Sequence, residues 1–180
     1  MKTLILKTIL LFAFFTFFGC SKDSASTTPT PTCPQGYTGT NCSFQVTPSK
    51  INISKIQIVS FPLIDPNATT GYWDYPTNKD PDIAIILTDN TSGIVLDNET
   101  NNPFTDATSN FTYSYTYPNL LVANPLHSYK IEMRDIDPNN AYETMDTYYF
   151  TIYSTTNNFP SVITIDSGIA KYNIYVTYTW

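Results

Sequence analysis

Charge is scarce in this chain. Only 13% of its 180 residues are charged, and 9 bases face 15 acids for a net charge of −6. With no basic cluster to neutralise phosphates, nucleic acid is excluded as a partner and cations are favoured. Histidine is scarcer still: His127 is the only one, and its place two residues after Pro125 suits a strand end better than a general base. No Gly-x-Ser-x-Gly elbow is present. A glycosidase built on a carboxylate pair would need a larger, cleft-bearing scaffold. Helical periodicity is missing as well, since after the first twenty residues no stretch keeps it for a dozen positions. These absences point to a non-catalytic, all-β protein with a binding or structural function.

The first twenty residues, MKTLILKTILLFAFFTFFGC, carry Lys2 and Lys7, then an apolar run from Ile9 to Phe15 that resumes at Phe17 and stops at Gly19-Cys20. That is the layout of a secretory signal, short for a membrane span and closed by a small residue. With cysteine directly after the glycine, residues 1–19 resemble a bacterial lipoprotein signal, although Phe17 and Phe18 stand where Leu and a smaller residue are commoner. The resemblance implies that Cys20 is lipidated and begins the mature chain. At about 0.8 kcal/mol per buried methylene, several acyl chains would anchor it firmly in a bilayer. Ser21 in place of Asp implies the outer membrane, and Ser21-Lys22-Asp23 resembles the tether of surface-exported lipoproteins. Loss of Lys2 and Lys7, with no acid lost, takes the charge from −6 to −8. Residues 20–32 are a Ser/Thr/Pro-rich spacer with nothing to pack, roughly 3 Å long per residue where extended. Within it, Asp23-Ser24-Ala25 resembles an acceptor for bacterial O-glycosylation.

The other two cysteines frame CPQGYTGTNC, Cys33 to Cys42. The stretch resembles the last hairpin of an EGF-like module at every defining position, and residues 33–45 are read as such a hairpin. The resemblance implies a Cys33–Cys42 disulfide, fit for an oxidising compartment and stabilising by roughly 2–3 kcal/mol in the chain-entropy model. A complete EGF module needs six cysteines, so its calcium and receptor binding are not carried over. A two-cysteine metal site lacks a histidine or third thiolate nearby.

Residues 50–180 read as strands. INISKIQIVSF (51–61) alternates with one phase shift near Ser54-Lys55, the mark of a bulge. IAIILTD (83–89), GIVLD (93–97), FTYSYTY (111–117), SYKIEMR (128–134), TYYFTIY (147–153), SVITID (161–166) and AKYNIYVTYTW (170–180) follow, separated by Pro, Asn, Asp and Gly turns. Eight antiparallel strands predict a β-sandwich. The aromatic alternation that ends at Trp180 is like the closing strand of an outer-membrane barrel, but several strands are too short to span.

Acids gather in two segments of this domain. GYWDYPTNKDPDIAIIL (71–87) holds Asp74 and Asp80 before a strand, and DIDPNNAYETM (135–145) holds Asp135, Asp137 and Glu143 after one. These spacings and their order resemble the calcium- and phospholipid-binding C-two domain. The resemblance implies a C-two-like sandwich over 50–180, with Asp74, Asp80, Asp135, Asp137 and Glu143 as ligands of calcium. Three features depart from the pattern. Glu143 replaces the usual Asp, Asp146 stands in place of a glycine, and the strands carry no basic cluster for anionic lipid; if the register slips by two, Asp82 replaces Asp80 as the first-loop ligand. Independently of the family, five carboxylates brought together would repel one another unless a cation joined them, and calcium takes 6 to 8 oxygen ligands. An EF-hand is ruled out because Asn140 replaces the turn glycine and Asp146 the bidentate Glu. The plain alternative is a set of acids that merely solvate loop tips.

Tyr72, Trp73 and Tyr75 flank the first acids. They suit a stacking platform for sugar rings or an anchor for a partner, but a Trp at a strand mouth more often caps the core, and that is the reading favoured for Trp73. The expected function is that of a lipid-anchored, surface-exposed accessory module docking onto another protein of an outer-membrane complex, with calcium-assisted glycan binding as the alternative. A peripheral membrane binder fits a charge of −8 poorly, because anionic lipid would repel it.

Overall fold

The computed structural model describes residues 32–67, 69, 71–74, 80–137 and 141–180. The chain divides into two units, Met1–Thr32 and Cys33–Trp180, and the second contains all of the folded architecture considered below. The predicted 1–19 signal, Cys20 and the spacer up to residue 31 lie outside the described residues.

Ten strands are present among the described residues: β1 (Tyr37–Thr38), β2 (Phe44–Gln45), β3 (Lys50–Ser60), β4 (Ile83–Asp89), β5 (Ile94–Asn98), β6 (Tyr113–Val122), β7 (Ser128–Ile136), β8 (Tyr142–Thr151), β9 (Val162–Asp166) and β10 (Lys171–Thr179). The sole helical element described is a single 3-10 turn, Thr40–Cys42. β1 and β2 form the small hairpin closed by the Cys33–Cys42 disulfide. The remaining eight are the sandwich strands expected from the sequence. They form two four-stranded antiparallel sheets, ordered β6-β3-β10-β9 and β5-β4-β7-β8. Among the described residues the two sheets are open, with β6 and β9 at the edges of one and β5 and β8 at the edges of the other, and they do not close into a barrel.

Isoleucine builds the core. Ile51, Ile53, Ile56 and Ile58 of β3 face Ile83, Ile85 and Leu87 of β4 and Ile131 and Met133 of β7, all fully buried. Each such side chain contributes roughly 1.5–3 kcal/mol. The change of phase between Ile53 and Ile56 is a bulge: the register of β3 shifts between Ile53 and Lys55 against β6, and β10 shifts at Tyr175/Val176 opposite it. The extra residue, Ser54, keeps both isoleucine pairs on the inner face.

Most strand limits fall within two residues of expectation, among them the end of β7 at Ile136 rather than Arg134, which makes Asp135 a strand residue and not a loop residue; two limits differ by five. β6 runs on through Pro118 to Val122 rather than stopping at Tyr117. An edge strand tolerates proline because the missing N–H costs no ladder bond on the open side, and residues 117–119 bow out opposite the β3 bulge. β8 starts at Tyr142, five residues before the expected Thr147. Residues 142–144 are exposed on an edge strand, so no apolar alternation marked them. In consequence Glu143 is not a loop residue but stands in β8, directly opposite Asp135 of β7.

The inward face of β7 reads Tyr129, Ile131, Met133, Asp135, and that of β4 reads Ile83, Ile85, Leu87, Asp89. Side chains at every second position share a face. The two strands run antiparallel, with Ile83 paired to Asp135 and Asp89 to Tyr129. The alternation that makes the core therefore carries one aspartate into each end of it.

Candidate metal centre

The β3–β4, β5–β6 and β7–β8 connections all emerge at the Asp135 end of the sandwich. Trp73 anchors the first of them. It is buried in the core, and its indole N–H donates to the Pro62 carbonyl across the same loop (3.0 Å). The adjacent Asp74 is left half-buried at the mouth. Asp82 ties the three connections together. Its backbone N–H donates to Asp135 Oδ1 (2.7 Å), its carbonyl accepts from Ile136 N–H (2.9 Å), and its own Oδ1 accepts from Asp106 N–H (2.8 Å). The β7–β8 turn is closed by the Asp137 N–H donating to the Ala141 carbonyl (2.9 Å).

These constraints bring carboxylate oxygens of Asp74, Asp135 and Asp137 within 4.8 Å of one another. Two oxygens on opposite sides of a calcium ion bound at about 2.4 Å are about 4.8 Å apart, so the spacing fits one ion among them. Asp135 is completely buried, yet its Oδ2 has no hydrogen-bond partner among the described residues. A buried, unpartnered carboxylate oxygen is costly, and it either keeps a proton or meets a cation. Burial pushes the Asp135 carboxyl up to about 7; the Asp82 N–H opposes this, while the charges of Asp74, Asp137 and Asp82 add to it. Asp74 is raised to about 6 by burial and then by Asp82, Asp137, Asp106 and Glu143. Glu143 is also raised, by burial and by Asp65 and Asp137.

Among the described residues, no base is ion-paired with these acids. The ion pairs are Lys130–Glu132, Arg134–Glu132, Lys171–Asp166 and His127–Asp89. Arg134, although next to Asp135 in sequence, belongs to the outer face of β7, where it bonds Glu132 and lies over the Tyr142 ring.

The structure thus gathers Asp74, Asp135 and Asp137, with Glu143 close enough to interact electrostatically. Asp80 is not a member of the three-carboxylate group, and Asp82 takes the inner position. Asp106 and the buried Asp65 enter from positions that no spacing rule marked, because their nearness is created by loop folding. Asp146, which replaces the glycine of the C-two pattern, is buried elsewhere in the core and accepts from Ser167 Oγ (2.9 Å) and the Tyr172 hydroxyl (3.0 Å). Of the three aromatics, Tyr72 is exposed, Trp73 is a core cap and not a stacking surface, and Tyr75 lies outside the described residues.

No family model matches the chain, and no curated protein matches it. Among solved structures it is similar to human GIVD cytosolic phospholipase A2 in complex with methyl gamma-linolenyl fluorophosphonate, at 10% identity and a TM-score of 0.35. That alignment covers 72% of this chain but only 16% of the phospholipase chain. The fold class rests on the strands themselves: among the described residues, eight of the ten strands form an antiparallel β-sandwich of two four-stranded sheets.

Proposed function

We propose that this protein is a non-catalytic, lipid-anchored envelope lipoprotein, an accessory module of an outer-membrane protein complex, whose sandwich takes up calcium at the Asp135 end. The observation that carries the calcium part is the completely buried Asp135, with an unpartnered Oδ2 among carboxylates that no base neutralises within the described residues. Asp74, Asp135 and Asp137 would hold the ion, with Glu143 and Asp82 as flanking charges. The bound cation would rigidify the three loops and so set the surface offered to a partner protein. The anchor follows from the resemblance of residues 1–20 to a lipoprotein signal. The glycan alternative is weaker, since Trp73, the largest ring of its platform, is buried and hydrogen-bonded.

Calorimetric titration of the full chain with calcium tests the first part. A saturable heat that Asp135→Asn/Asp137→Asn removes is expected, and no heat up to millimolar calcium would refute it. Fractionation tests the second: the Cys20→Ala protein should leave the membrane fraction after a high-salt wash.

A further inference from the structure

The disulfide-closed hairpin lies at the other end of the sandwich, where β10 finishes and β3 begins. Its face is filled by Phe159 and by Trp180, the residue that follows β10. Gly36 is buried at φ +87°, and a Cβ placed there would stand 2.5 Å from Trp180 Cζ2 and 2.8 Å from Phe159 Cε2. Only glycine permits both that backbone and that approach. The Trp180 indole N–H donates to the Val46 carbonyl (3.0 Å), Val46 N–H donates to the Gly36 carbonyl (2.8 Å), and Gln45 Nε2 donates to Asn158 Oδ1 (2.9 Å). Phe159 is the hub of this contact. Tyr37 meets it edge-on at 5.4 Å, Trp180 at 5.0 Å and Tyr178 at 5.4 Å, while Tyr153 stacks on it at 5.7 Å.

Asn158 and Phe159 both have positive φ, 57° and 51°. Two consecutive non-glycine residues hold that conformation only where the surroundings fix it. The hairpin that supplies part of those surroundings cannot hold itself together. Its strands are two residues each, and such a ribbon is not stable alone.

We propose that residues 33–46 are a thiol-operated clamp on the C-terminal end of β10. Closed by Cys33–Cys42, the hairpin seats on Phe159 and Trp180; cleaving the bond lifts it and loosens the end of the last strand. A dithiol reductant opens it by exchange. Its thiolate attacks one sulfur, the protein disulfide takes up two electrons and two protons to become two thiols, and the reductant leaves as its own disulfide. The hairpin face that carries Gly36 and Tyr37 is therefore closed within the chain. This inference is independent of the calcium site.

Hydrogen–deuterium exchange of the full chain, with and without dithiothreitol, tests it. Amides of residues 36–46 and 177–180 should exchange about tenfold faster on reduction, the factor expected when a contact of ordinary hydrogen-bond worth is lost. Those of β4 and β7 should not change. Gly36→Val, which keeps the disulfide but cannot seat, should give the same local pattern without reductant. Unchanged exchange at 177–180 in the Gly36→Val protein overturns the proposal, as does reduction that leaves those amides protected.

Discussion

The two ends of the β4–β7 pair hold the same residue in opposite circumstances. Asp89 and Asp135 each end an inward-facing series, and both are buried. Around Asp89 every approach is a donor. Thr91 and Ser92 N–H donate to Oδ1 (3.0 and 3.1 Å), and His127 Nδ1 lies 2.7 Å from Oδ2. Burial alone would raise its pKa, but the His127 bond and the Ser92 contacts outweigh it and hold it below the ordinary value. Around Asp135, among the described residues, one oxygen has one donor, the other has none, and the charged neighbours are acids. Burial by itself thus decides nothing about a carboxylate. The local balance of donors and acids makes Asp89 a completed turn and Asp135 an incomplete site.

Breaking the complete end should have the largest effect. Asp89→Ala strands two backbone N–H groups and the His127 ring and should cost about 3 kcal/mol, read as a fall in the denaturant midpoint at unchanged slope. Asp135→Asn keeps the shape and the oxygen that accepts from Asp82 N–H while removing a charge, so the calcium-free protein should lose no stability.

Calcium should sharpen the contrast next. At a hundredfold excess over Kd it adds about 2.7 kcal/mol. For a domain of this size that raises Tm by several degrees, and magnesium should do so poorly because of its small octahedral shell. Asp89-end variants should keep this increment in full, whereas Asp74→Asn should lose most of it.

The two ends should also respond oppositely to pH in chelator. The folded pKa of Asp135, about 7, lies above the unfolded value near 3.9. Its contribution is therefore complete below about pH 4 and is lost as pH rises through 7. Asp89 has a depressed pKa, so its contribution is present above its unfolded value and is lost as acid titrates it below that value. Calcium-free unfolding curves should show stability falling from pH 5 to pH 7, and Asp135→Asn should flatten that slope. A slope that survives the substitution would place the responsible group elsewhere. The smallest effect should be that of Asp80→Asn, which lies outside the three-carboxylate group and should shift the calcium-dependent Tm by less than Asp74→Asn does.

Much of this was legible beforehand. Isoleucine alternation located β3 and its bulge, and CPQGYTGTNC indicated the disulfide now found between Cys33 and Cys42. The start of β8 was not legible, because an exposed edge strand of mixed polar residues leaves no period-two signal. Trp73 takes the core-cap role favoured for a tryptophan at a strand mouth, its ring buried and hydrogen-bonded to the Pro62 carbonyl.

The sequence by itself determined what depends on short-range order: which residues alternate, where the turns fall, and hence that two sheets bury one isoleucine-rich core with an aspartate at each end. Only the tertiary structure decided what surrounds those aspartates. His127 reaches Asp89 across 38 residues, and Asp82 reaches Asp135 across 53. Charge interactions follow distance in space, and in a sandwich built from non-local strand pairs that distance is set by how the loops fold over the ends of the sheets.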